Sequence, residues 1–160
     1  MLLVLGLVGG ACGGGGDHKP KPGTPAATGI APDCATVAPL DLVNQTLDLK
    51  LEGPTSQPSP SGTTCTYGFA AGKGNAVQTV LVNSNVDKAS FAIPRDGLKA
   101  ANNPVKKIGG WGDEAYAATV YTFVNSNIFG VRKGRVSVVI QSTSDYDHLK
   151  KLMTAVLAKL

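Results

Sequence analysis

Between Val37 and Leu47 the apolar residues Leu40, Val43 and Leu47 fall three and four apart, the spacing of one helical face. Pro39 suits a first turn and Asp41 lies near its positive end, so the segment reads as a short helix. Leu49 and Leu51 alternate with Lys50 and Glu52, which permits a brief strand, and the Pro- and Ser-rich stretch 53–63 then reads as a loop. Strand-forming residues follow from Cys65 to Ala71 and from Ala76 to Asn83, joined through Gly72 to Asn75 as a hairpin. Asp87 can cap a helix through Phe91, which Pro94 and Gly97 break or bend before Asn102. Further strands are expected over Ala115 to Val124, Ile128 to Arg132 and Arg135 to Ser142, the last two joined by a tight turn at Lys133 and Gly134. Ser144 and Asp145 open the clearest helix, with Tyr146, Leu149, Leu152, Met153, Val156, Leu157 and Leu160 on one broad apolar stripe. The order α-β-β-α-β-β-β-α with short connections predicts an α+β fold, a mostly antiparallel sheet of about five strands covered by helices on one face.

A chain of 160 residues has room for one such domain, placed at 34–160. The residues before it have a different character. Leu2 to Val8 form a short apolar run that ends in Gly9, Gly10, Ala11 and Cys12 and then four glycines. A membrane-spanning helix needs about 20 apolar residues, so this run reads as a signal peptide over 1–11. Small residues before Cys12 admit a peptidase, and the segment resembles a bacterial lipoprotein signal with Cys12 carrying the lipid. The alternative is a cysteine-bearing glycine leader behind an ordinary signal peptide. Residues 12–33 then form a lipidated start and a Gly/Pro linker whose root-mean-square reach is about 25 Å. Two or more acyl chains, palmitate among them, anchor stably where a single chain is marginal. The expected address is the extracytoplasmic side of the cell membrane.

Composition agrees with export. Charged residues make up only 16% of the chain and glycine reaches 20 residues, so Ser, Thr, Asn and Gln carry much of the solvation. Cys34 and Cys65 remain as an even pair, and in an oxidising compartment a disulfide is expected between them. A Cys–His metal site or a nucleophilic thiol is the alternative, and either needs partners that a domain with His148 as its only histidine hardly supplies. Val82-Asn83-Ser84-Asn85 recurs as Val124-Asn125-Ser126-Asn127, a faint hint of two related halves.

The chemistry-bearing residues are few. Asp113 and Glu114 are neighbours, and neighbours in a strand point to opposite faces, so a facing acid–base pair is not expected and a turn or capping role is. His148 with Asp145 and Asp147 offers an acid–base group, but at a helix start these residues read first as caps and surface. No nucleophile elbow, paired-His zinc motif, phosphate loop or dinucleotide fingerprint occurs, so neither enzyme activity, a cofactor nor a metal is expected. Trp111, alone among glycines, could stack on a sugar or acyl chain or plug the core. The net charge of +4 falls within the domain, because Lys19 and Lys21 offset Asp17 and Asp33. Lys106 and Lys107, Arg132, Lys133 and Arg135, and Lys150 and Lys151 are candidates for a patch toward anionic lipid, cell-wall polymer or an acidic protein, or simply solvate turns and a helix face. Nucleic acid is not an expected partner.

Cys12 and its stalk, Cys34 and Cys65, the Gly112-Asp113-Glu114-Ala115 turn and the Arg132-Lys133-Gly134 hairpin together resemble small actinobacterial surface lipoproteins that carry a domain of unknown function. They are similar also to extracellular sensor domains of mycobacterial Ser/Thr kinases. The resemblance covers most of 34–160 and implies a helix after the first cysteine, a strand at the second and a second sheet segment after Gly-Asp-Glu-Ala. It supplies no catalytic residue. The expectation is a membrane-anchored envelope lipoprotein with a non-enzymatic ligand-binding or sensing domain, which takes a small ligand, a lipid or an envelope partner. A structural adaptor of envelope assembly, engaging a polymer or protein through basic surfaces, is the alternative, and a hydrolase with an unrecognised site is a third.

Overall fold

The computed structural model describes residues 32–71, 73–74 and 78–160. The expected signal peptide, Cys12 and its stalk, and Gly72 and Asn75 of the expected turn lie outside the described residues. Two short helices, α1 (Cys34–Val37) and α2 (Leu40–Leu47), precede strands β1 (Leu51–Ser59), β2 (Gly62–Phe69) and β3 (Gln78–Asn83). Helix α3 (Lys88–Ala100) leads to β4 (Val105–Ile108), β5 (Glu114–Val120), β6 (Ser126–Lys133) and β7 (Val136–Ser142), and α4 (Tyr146–Leu157) closes the order. The fold is α+β, with all strands in one antiparallel sheet of order β1-β2-β3-β7-β6-β5-β4.

Seven strands replace the expected five or so, and each addition is an edge strand. The Pro- and Ser-rich stretch expected as a loop forms most of β1, which pairs with β2 from Leu51↔Phe69 to Ser59↔Gly62 through an irregularity between Glu52 and Thr55. Proline is tolerated there because an edge strand leaves one row of backbone donors unused. The basic stretch at Lys106 and Lys107 forms β4 at the opposite edge. The first helix splits at Pro39, and α3 runs through Pro94 without the expected break, held at its start by Asp87, which accepts from the Ser90 N–H at 2.7 Å. The expected strand to Val124 ends at Val120.

Helices lie on both faces of the sheet, contrary to the single covered face expected. Alternation along β5 shows this directly: Ala115 and Ala117 join the core with Leu149, Leu152 and Met153 of α4, whereas Tyr116 and Ala118 pack with Phe91 of α3. An alternation of period two divides a strand between two cores whenever both faces are covered. Tyr116 lies flat across Gly130, its partner on β6, where an added Cβ would meet the ring at 2.5 Å. The repeated tetrads occupy opposite kinds of strand end, the close of β3 and the approach to β6, and therefore mark no duplicated unit.

Cys34 and Cys65 form a disulfide across 31 positions, with Cα atoms 5.5 Å apart. Around it, the Tyr67 hydroxyl donates to the Ala38 carbonyl, and Asn44 both accepts from the Leu51 N–H at 2.8 Å and donates to the Leu51 carbonyl at 3.2 Å. These bonds fasten α1 and α2 to the first two strands. Burial drives the Tyr67 phenol pKa well above its ordinary value.

Candidate functional site

A sheet of seven strands spaced about 4.8 Å apart is roughly 29 Å wide, while two helices side by side cover only about 20 Å. On the face that carries α1, α2 and α4, the first two pack on β1 and β2 and α4 packs on β6 and β7, so the uncovered remainder falls at β5 and β4. A cleft of about 310 Å³ opens there between α4 and the β4 edge. Its floor is Ile108, Ala117 and Phe129, all apolar. Lys106 and Lys150 stand at its rim, and Thr119, Tyr121 and Tyr146 contribute hydroxyls to its walls.

The wall at the start of α4 is built by a chain of polar contacts. Tyr146 Oη lies 3.1 Å from Thr119 Oγ1, which donates to Asn127 Oδ1 at 3.0 Å, and Asn127 Nδ2 donates to the Ser144 carbonyl at 3.0 Å. Asp145 caps α4 by accepting from the N–H groups of Asp147 and His148, each at 3.0 Å. Hydrogen bonding from the His148 amide and ring holds the Asp145 carboxyl below its ordinary pKa. Lys150 pairs with Asp147 at 3.1 Å, whereas Lys106 has no ion-pair partner among the described residues. Together these groups can hold an apolar body on the floor and an anionic group at the rim.

The basic residues singled out from the sequence do not form one patch. Lys106 and Lys107 are successive on β4 and point to opposite faces, Lys106 into the cleft and Lys107 toward α3. Arg132 is engaged internally: it reaches Asp113 at 3.3 Å, Glu114 at 3.5 Å and the Gly134 carbonyl at 2.7 Å. Lys133 and Arg135 are exposed around the β6–β7 turn, at the far end from the start of α4. Trp111 packs edge-on against Phe129 with ring centres 5.1 Å apart, so it buttresses the floor of the cleft from outside its lining.

The carboxylates weighed for acid–base chemistry have local partners. Asp113 accepts from the Gly134 N–H at 2.7 Å and ties the turn before β5 to the β6–β7 turn, while Glu114 faces Arg132 across the strand pair. His148 Nδ1 lies 2.8 Å from Asp145. On the opposite face of the sheet, a smaller cavity of about 200 Å³ is lined by Arg95, Lys99, Lys107, Glu114 and Tyr116. Burial pushes the Tyr116 phenol up to about 12, against the nearby Arg95 charge, and its hydroxyl has no hydrogen-bond partner among the described residues. Among the described residues no cluster of His, Cys, Asp and Glu assembles a metal site.

Sequence reasoning missed the cleft because its lining comes from four separate segments, β4, β5, β6 and α4. The one available signal was Lys106 followed by Ile108, an alternation that puts a charge and an apolar residue on the same side of a strand. Comparison with protein families, curated proteins and solved structures finds no match.

Proposed function

We propose that this chain is a lipoprotein of the cell envelope, anchored through Cys12 on the extracytoplasmic side of the membrane, whose domain binds a ligand without transforming it. The binding site is the cleft between α4 and β4, and the ligand is a small amphiphile with an anionic group. One observation carries this reading: an apolar floor of Ile108, Ala117 and Phe129 lies between two lysines, one of them free of an ion pair among the described residues. Apolar lining with few convergent polar groups is the usual make-up of a small-molecule site. The signal-like segment at 2–12 and the resemblance to surface lipoproteins support the address.

Native and denaturing mass spectrometry of the full-length protein extracted from its own membranes tests this. The expected result is a chain that starts at an acylated Cys12, with a noncovalent adduct that is lost in Lys106→Glu. An acylated chain that carries no adduct and accepts no added fatty acid or lysophospholipid overturns the cleft as the site. An unacylated chain removes the anchor. The adaptor reading draws on the exposed Lys133 and Arg135. It gains if a salt-sensitive partner is lost in variants of those two residues and kept in Lys106→Glu.

A further inference from the structure

The β5–β6 hairpin ends in a tip that water solvates poorly. Phe123 is fully exposed, and Tyr121 and Val124 beside it are 64% and 47% exposed. The polar Thr122 hydroxyl between them is already satisfied, since it donates to the Val124 carbonyl at 2.7 Å. From Ala115 to Val131 the chain carries no charged residue, so the tip can leave water without desolvating a charge. Tyr121 belongs both to this tip and to the wall of the cleft, where Lys106 and Lys150 stand. An uncharged aromatic tip flanked by lysines has the chemistry of a headgroup layer: aromatic rings favour the membrane–water interface, and ammonium groups favour anionic lipid. Asp145 and Asp147 also lie near, but the first is committed to capping α4 and the second to Lys150.

We infer that the tip Tyr121-Thr122-Phe123-Val124 seats in the headgroup region of an anionic bilayer and holds the mouth of the cleft against the membrane surface. The inference rests on the proposed envelope address for the presence of a bilayer, but not on lipidation or on cleft cargo. A tip in the bilayer lets an amphiphile pass between leaflet and cleft without crossing water, the step at which its apolar part would otherwise be exposed.

The test uses the full chain with Cys12→Ser, so that no acyl anchor contributes, and vesicles of phosphatidylcholine with or without phosphatidylglycerol. Sedimentation with the mixed vesicles is expected, weakened about tenfold or more by Phe123→Ser, since one large apolar side chain is worth that much partitioning. Lys106→Gln is expected to weaken binding only where phosphatidylglycerol is present. A tryptophan placed by Phe123→Trp should shift its emission to the blue on vesicles and be quenched by lipids brominated near the headgroup. Because Phe123 is wholly exposed, Phe123→Ser should melt as the parent does, which separates lost binding from lost folding. Equal sedimentation of parent and Phe123→Ser, or no emission change at position 123, overturns the inference. A blue shift without vesicles that grows with protein concentration also overturns it, in favour of a contact between two copies of the chain. Because the Cys12→Ser chain is used, failure here leaves the mass-spectrometric result on lipidation and cargo standing, and the reverse holds too.

Discussion

The two edges of the sheet are finished in opposite ways. At the β1 edge, α1 and α2 lie over the strands, the Cys34–Cys65 disulfide joins helix to sheet, and Tyr67 and Asn44 bond across the junction. At the β4 edge a strand of four residues turns Lys106 to the cleft and Lys107 to the opposite face, and on the α4 face no helix among the described residues covers it. Short, lysine-bearing edge strands resist pairing with other chains, which makes such an edge safe to leave open. The difference teaches where each demand is met: one edge supplies the cross-link a modest domain needs, and the other gives up apolar contact to keep a cavity.

The sharpest way to break this comparison is to open the closed edge. Replacing Cys34 and Cys65 together by Ser should lower stability by about 3–4 kcal/mol, the loop-closure figure for a bridge across 31 positions. Chemical denaturation of parent and variant reads it directly. A variant as stable as its parent would show that the hydrogen bonds at this junction suffice without the covalent link.

A pair of smaller substitutions sets the two edges against each other. Leu47 of α2 is only 2% exposed, and Leu47→Ala should cost about 3 kcal/mol through lost burial and a residual cavity. Ile108 of β4 is half-buried on the floor of the cleft, and Ile108→Ala should cost only about 1 kcal/mol, since much of its surface already meets the cavity. The second variant should nevertheless impair binding of an amphiphile more than the first. Equal losses of stability would mean that the β4 edge is packed as a core.

How far the sequence announces these features depends on whether the signal is local. The last helix is legible because Leu149, Leu152, Met153 and Val156 repeat at helical spacing and Asp145 stands where a cap belongs. The disulfide is legible from the even pair of cysteines in the domain together with the expectation of export. The two edge strands are less so: the alternation that permits a brief strand reaches only Leu51 and Glu52 of β1, whose remainder is hidden by prolines that only its edge position tolerates, and β4 is hidden by lysines that read as surface. The second covered face is hidden too, since an apolar run such as Ala115 to Ala118 shows that both sides of a strand are buried but not what buries them. Of the candidate residues, Lys106 and Lys150 line the cleft, and Trp111 packs against Phe129 of its floor. Lys107 lies on the opposite face, and Arg132, Lys133 and Arg135 lie around the far turn, because strand alternation and Arg132's ties to Asp113 and Glu114 separate residues that are close in sequence.

The smallest effect concerns acid. Asp145 holds the start of α4 and thereby the wall that carries Tyr146, and its carboxyl sits below the ordinary pKa because the His148 N–H and ring bond to its charged form. A carboxyl depressed in the folded state contributes stability that is present above its unfolded pKa of about 3.9 and is lost as pH falls through the lower folded value. The closed edge depends on a disulfide, a tyrosine hydroxyl and an asparagine amide, none of which titrates in acid. Below about pH 4, the His148 amide should therefore lose protection relative to its intrinsic exchange rate while the amide of Leu51, bonded to Asn44, stays protected. Asp145→Asn keeps an oxygen acceptor at the cap and removes the proton equilibrium, so it should level this pH dependence without unwinding the helix. If both amides lose protection together, the two edges open as one cooperative unit and the cleft wall has no acid sensitivity of its own.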